Sequence, residues 1–153
     1  MATNQIRGTR QDTWQVTLQV EHPHNPGSMI NYGIWDTKSG GELDSEEHLY
    51  HPGGMMPPYS LGGMITPGQI TISRNYRLGR DHDNIQQLID AVGISRVSIH
   101  QQPMDRYKNH YGRPIVWTGT LKTITLPEHN SESTADPAMV ELVCSIDSAP
   151  TST

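Results

Sequence analysis

Eight histidines, one cysteine and a few clustered acids are the residues of this 153-residue chain best suited to chemistry. His22 and His24 are one residue apart, a spacing that turns two imidazoles to one face of a strand and opens many metal sites. A metal-binding β-barrel would add a carboxylate soon after and another His further on. Here "NPGSM" follows, and Pro23 with Pro26 makes the segment a turn. His48 and His51 lie in a glycine-rich stretch with no helix to fix their geometry. His82, His100, His110 and His129 fall on a helix start, a strand, a turn and a post-proline loop. The stretch "VWTGTLKTITLPEHNSES", 116–133, gathers Trp117, Lys122, Glu128, His129, Ser131 and Ser133. A nucleophilic serine needs a base and an oxyanion hole, yet no G-x-S-x-G elbow and no marked base accompany these serines. The glycine pairs precede neither Lys-Ser/Thr nor a helix, so no phosphate-cradling loop is read. Glu46 and Glu47 read as a solvated charge run. The residues therefore predict no enzyme, no catalytic or metal-ligating set and no cofactor.

The elements that carry these residues are mostly strands. "TWQVTLQVE" alternates Trp14, Val16, Leu18 and Val20 against Gln15, Thr17, Gln19 and Glu21, the pattern of an antiparallel strand with one wet face. "MINYGIW", "GQITISRNY", "SRVSIHQQ", "IVWTGTLKTITLP" and "AMVELVCSI" read as five more strands. Inward positions include Ile70, Ile72, Val97, Ile99, Val140, Leu142, Cys144 and Ile146. Gly119 fits a bulge or a close backbone approach. "DHDNIQQLIDAVG" is the convincing helix, with Ile85, Leu88, Ile89 and Val92 on one stripe, Asp81 or Asp83 as cap and Gly93 as stop. "MDRYKNHYGRP" reads as a turn region.

The fold class expected is mainly β: a small antiparallel β-barrel or sandwich with one flanking helix and one long loop. The chain reads as a single domain over 1–153, with an N-terminal arm (1–11), a long loop (36–67) and a C-terminal tail (148–153). The loop holds three Gly-Gly pairs, a Pro-Pro and the acids Asp44, Glu46 and Glu47. It exceeds the roughly 12–15 residues usual for a structureless connection, which points to function. Its Leu49, Tyr50, Met55, Met56, Tyr59, Leu61 and Met64 are the candidate contacts between subunits or between rings, because adaptable Met and Tyr side chains suit a segment that orders against another chain.

Composition narrows the classes further. Sixteen acids against eleven bases give a formal charge of −5, and no basic cluster stands out, which argues against phosphate-led nucleic-acid binding. Hydrophobic residues make up 33%, Phe is absent and mean hydropathy is −0.60, a thin supply for a free-standing core. That favours a subunit that completes its burial against neighbours. A lone Cys144 excludes an internal disulfide framework and a Cys-based zinc cluster, and reads as a small buried hydrophobe. No signal region and no run of about 20 apolar residues is present, so synthesis in a cytoplasm with no encoded route out is expected.

The second half resembles the tail tube proteins of tailed bacteriophages, a likeness that extends over about residues 66–147. It rests on the order "GQITISRNYR", "DHDNIQQLIDAVG", "ISRVSIHQQPMDRYKNHYGRPIVWTGTLKTITLPEHNSES" and "AMVELVCSI". Within it, Gly112, Pro114, Gly119 and Leu121 match a G-x-P-x-x-x-x-G-x-L pattern, and Pro127, Glu128 and Ser131 a loop pattern. The resemblance implies a hexameric ring whose subunits pool their sheets around a channel. Rings stack into a tube that passes the genome without binding it specifically. Implied partners are further copies of the chain and the tape-measure, terminator and baseplate or initiator proteins, with no membrane. The implied location is the tail of a virion. The same fold serves contractile injection machines and the type VI secretion tube. Another virion part, such as a baseplate or decoration protein, and a metal-dependent small β-barrel enzyme stay open as alternatives.

Overall fold

A computed structural model describes residues 8–105 and 107–152; residues 1–7 of the N-terminal arm and the last residue of the tail lie outside the described residues. Nine strands and one α-helix are seen: β1 (Trp14–Glu21), β2 (Met29–Trp35), β3 (Thr37–Gly40), β4 (Leu43–Tyr50), β5 (Tyr59–Pro67), β6 (Ile70–Asn75), α1 (Ile85–Ala91), β7 (Arg96–Pro103), β8 (Ile115–Thr125) and β9 (Met139–Ile146). Seven strands form one antiparallel sheet in the order β2-β1-β7-β8-β9-β6-β3, and β4 pairs only with β5.

The sheet does not close into a barrel, because its ladder ends at β2 on one side and β3 on the other. Yet those two ends are consecutive in the chain, with Asp36 alone between them. A sheet whose terminal strands are joined by one residue must curl until its edges meet, and the Asp36 N–H donates to Ser73 O on β6 at 3.0 Å across that seam. The concave side is the core. Leu18, Ile70, Ile72, Ile99, Leu121, Leu142 and Cys144 are fully buried there, in the alternate positions the sequence marks. Burial pushes the Cys144 thiol up to about 12, so it is an apolar packing group at neutral pH.

Two local features shape β8. β8 carries a bulge at Lys122, which lets both Leu121 and Ile124 turn towards the core. Gly119 packs so closely on β9 that a Cβ there would lie 2.0 Å from Ser145 O. The expected close approach at Gly119 is therefore what the register requires.

The helix is shorter than the sequence suggests. Asn84 is its N-cap, without a side-chain capping bond, while a π-type turn occupies Leu78–His82. Asp81 does not cap α1: its buried carboxylate is the partner of Arg74 and accepts from the Arg77 N–H. The inward parity that buries Ile70 and Ile72 also buries the Arg74 guanidinium, and its counter-ion takes Asp81 away from the helix. Leu88 and Ala91 face the core, and Gly93, at φ +84°, ends the helix and donates to Leu121 O at 2.8 Å.

Residues 36–67, expected as one long loop, are ordered as β3 and a hairpin. Thr37–Gly40 pairs with β6, and β4 and β5 form a two-stranded arm standing off the sheet. Glycine and proline suggested irregular chain, and an arm with no core-facing side has no period-two pattern to correct that impression.

Candidate assembly surface

The histidines and serines that suggested chemistry are dispersed. His22 and His24 share the β1–β2 turn, where His24 Nε2 meets Asp90 of α1 at 3.3 Å. His48 Nε2 lies 3.3 Å from Glu46, His82 Nδ1 lies 2.8 Å from the Tyr76 hydroxyl, and His110 Nε2 lies 2.6 Å from Gln15 Oε1. His100 is half-buried beside Ser98, and burial lowers its pKa below the usual histidine value. Ser133 donates to Asp136 at 2.7 Å. Among the described residues no three His, Cys, Asp or Glu side chains converge as a metal set. Two shallow clefts exist: about 370 Å³ beside Trp14, Trp35 and Lys38, and about 280 Å³ along the free edge of β2.

The concentration of unusual chemistry is instead the hairpin. Every residue of β4 is exposed, and β5 is exposed except at Gly63 and Pro67, which are half-buried. An isolated two-stranded hairpin is marginal in water, and this one has no third strand behind it. It nevertheless presents seven large side chains that a globular surface would hide. Leu49, Tyr50, Met56, Tyr59, Leu61 and Met64 are all exposed, and Met55 at the tip is fully so, at 103%. All seven candidate contacts named from the sequence therefore fall on one protruding arm. Ile65, an apolar residue of the same segment, is exposed on it as well, and so is Leu43, which sequence reasoning passed over because its acidic neighbours hid the signal.

The arm has internal order. Tyr50 stands opposite Tyr59 with ring centroids 5.2 Å apart, and His48 stands opposite Leu61. A bulge places Gly63 against the Glu46 backbone, where a Cβ would sit 2.5 Å from Glu46 O. At the base, Gly41 N–H donates to Gln69 O at 3.0 Å and Gly68 N–H to Glu42 O at 2.7 Å, so the arm leaves the sheet through a bonded neck.

The convex face of the sheet is a second distinctive surface. Thr17, Gln19, Ser98, Thr118, Thr120, Thr71 and Ser73 are half-buried there, a carpet of hydroxyls and amides with the exposed Glu141 opposite Ser73. Thr37 and Ser73 bond through their hydroxyls across β3 and β6. Its ion pair, Arg96 with Asp147, lies at the margin of this carpet.

No protein-family model matches the chain, and no curated protein matches it in sequence. Its fold is shared with solved structures. A chain in the cryo-EM structure of the anti-feeding prophage cap, the tube terminating cap, aligns over 95% of this chain and 90% of its own, with a TM-score of 0.64 at 14% identity. A chain in the extended-state sheath–tube complex of an extracellular contractile injection system, PVC, aligns over 100% and 98%, with a TM-score of 0.64 at 12% identity. A chain in the anti-feeding prophage baseplate aligns over 93% and 95%, with a TM-score of 0.61 at 11% identity. At these identities the likeness is one of fold, and it spans nearly the whole of each chain.

Proposed function

We propose that this protein is a structural subunit of a phage-tail-like tube, closing hexameric rings that stack around a channel. One observation carries the reading: a hairpin arm exposed on both sides and loaded with Leu, Tyr and Met projects from a fold shared end to end with chains of tube, cap and baseplate assemblies. Such an arm gains its missing partner surface when another copy covers it. The hydroxyl-rich convex sheet suits a channel wall, since its Arg96 is already paired with Asp147 and the carboxylate of Glu141 repels a passing polyanion. On this reading the DNA passes through the tube, and the tape-measure, terminator and initiator proteins are its neighbours in the particle. The subunit needs no catalytic group.

The test is negative-stain microscopy of the purified chain beside a variant lacking residues 44–63. Rings or tubes with a central hole are expected for the whole chain, and a folded monomer for the deletion. Tubes of normal length from the deletion variant overturn the role of the arm. A second reading, a cap or baseplate ring of the same fold, draws on the comparable likeness to chains of those assemblies. Single rings that never stack, at any concentration, would select it.

A further inference from the structure

The hairpin is as distinctive in charge as in polarity. Between Lys38 and Arg74 the chain carries Glu42, Asp44, Glu46 and Glu47 and not one Lys or Arg. Glu42, Asp44 and Glu47 form no ion pair among the described residues. An acidic, Tyr- and Met-bearing arm calls for a cationic, aromatic receiver.

The connection from β7 to β8 has that character. Asp105 spends its carboxylate on its own turn, accepting from the backbone N–H groups of Tyr107 at 2.8 Å and Asn109 at 3.0 Å. Gln102 donates to the carbonyls of Tyr111 and Gly112 at 2.9 and 2.8 Å, and Tyr111 N–H donates to Pro103 O. The connection is thereby held as a fixed platform with Lys108, Tyr111 and Arg113 exposed on it. Neither cation has an ion-pair partner among the described residues.

Topology places arm and platform for a ring. β6 and β8 are both antiparallel to β9, so they run in the same direction. The arm leads into the start of β6 and the platform into the start of β8, and pairing through Cys144 sets Ile70 level with Leu121, well inside β8. Two strand spacings separate those strands, about 10 Å across the sheet. Because the sheet curls until β3 meets β2, its middle strands look away from the edge that bears the arm. Two unlike patches on separate parts of a subunit make a heterologous contact, the kind that closes a ring.

We infer that the hairpin arm of one copy docks on the Lys108–Tyr111–Arg113 platform of a second copy within the same ring. The inference rests on the tube-subunit reading and specifies the receiving surface that reading lacks. The test is charge reversal with exchange, scored by sedimentation velocity and negative-stain microscopy, with far-UV circular dichroism to confirm folding. Asp44→Lys with Glu47→Lys, and separately Lys108→Glu with Arg113→Glu, should each raise the concentration for half-assembly by about tenfold or more. Mixing the two variants should rescue assembly at a one-to-one ratio, because alternating copies set every reversed arm on a reversed platform and every native arm on a native platform. The four-fold variant, with both surfaces reversed in one chain, should restore rings fully. Normal rings from the platform variant overturn the inference while leaving the tube reading intact. Normal rings from the arm deletion likewise overturn the inference and the role of the arm, whereas failure of the unaltered chain to form rings overturns the tube reading itself.

Discussion

Arg74 and Asp81 form an ion pair that is sealed from solvent at the seam of the sheet, with side chains 1% and 2% exposed. Arg74 stands where a strand would otherwise pair with β2: its Nη1 donates to the carbonyls of Tyr32 and Ile34, and its guanidinium stacks 4.2 Å over the Trp35 ring. Asp81 accepts in turn from Arg80 Nη2 at 2.9 Å and the Arg77 N–H at 3.0 Å. One side chain therefore joins the two edges that the hydrogen-bond ladder leaves open.

Removing the counter-ion alone should be severe. Asp81→Ala leaves a buried guanidinium without its partner, and a loss of about 3–5 kcal/mol in urea unfolding is expected. A loss below about 1 kcal/mol would mean that the seam is held elsewhere.

The same pair sets a pH dependence. Burial raises the Asp81 pKa, but hydrogen bonds from Arg80 and the Arg77 N–H, and the charges of Arg74 and Arg80, outweigh it and hold the carboxyl below its ordinary value. A carboxyl lowered on folding contributes stability that is fully present above its unfolded pKa, about 3.9, and is lost as pH falls through the folded value. Stability measured by urea titration should therefore decline below about pH 4, and Asp81→Asn should flatten that decline.

Gly119 is predicted to tolerate no side chain. The Cβ of Gly119→Ala would meet a backbone oxygen of β9, which only strand separation relieves. Overpacking of this kind costs about 1–3 kcal/mol, read as a shift in the urea midpoint. An unchanged midpoint would show that β8 and β9 have slack.

The hairpin should behave in the opposite way. Replacing Leu49, Met55 and Met64 by Ser touches no buried contact, so monomer stability should change by no more than about 0.5 kcal/mol while assembly is lost. Loss of the fold would place those residues in a core that the structure does not show.

Cys144 gives a simple check on the core. Its thiol is fully buried and its pKa pushed up to about 12, so it should react with a disulfide reagent only at the rate of global opening. Immediate labelling of the native protein would contradict that packing.

How far the sequence foretold this molecule depends on which side chains had a core to report. β1, β7 and β9 were legible because Val16, Leu18 and Val20, Val97 and Ile99, and Val140, Leu142 and Cys144 alternate against wet partners. Arg74 had a signal too: it shares the parity of Ile70 and Ile72, so an inward charge with an acid seven residues on could have been read. The hairpin strands had none, since neither face packs on the sheet. Composition still singled out its Met, Tyr and Leu residues as candidate contacts between subunits or rings. The structure puts all seven on the exposed arm, and their contact with another copy is the proposal tested above. Lys108 and Arg113 were passed over as turn residues because a lone cation gains meaning only beside a fixed backbone and a complementary arm.

The bonded neck at Gly41, Gly68 and Gln69 has a practical consequence. The sheet below it is complete without the arm, and the arm above it is bonded only to itself. The segment can be treated as an exchangeable cassette: a different hairpin spliced between Gly41 and Gly68 would give the same scaffold a new address.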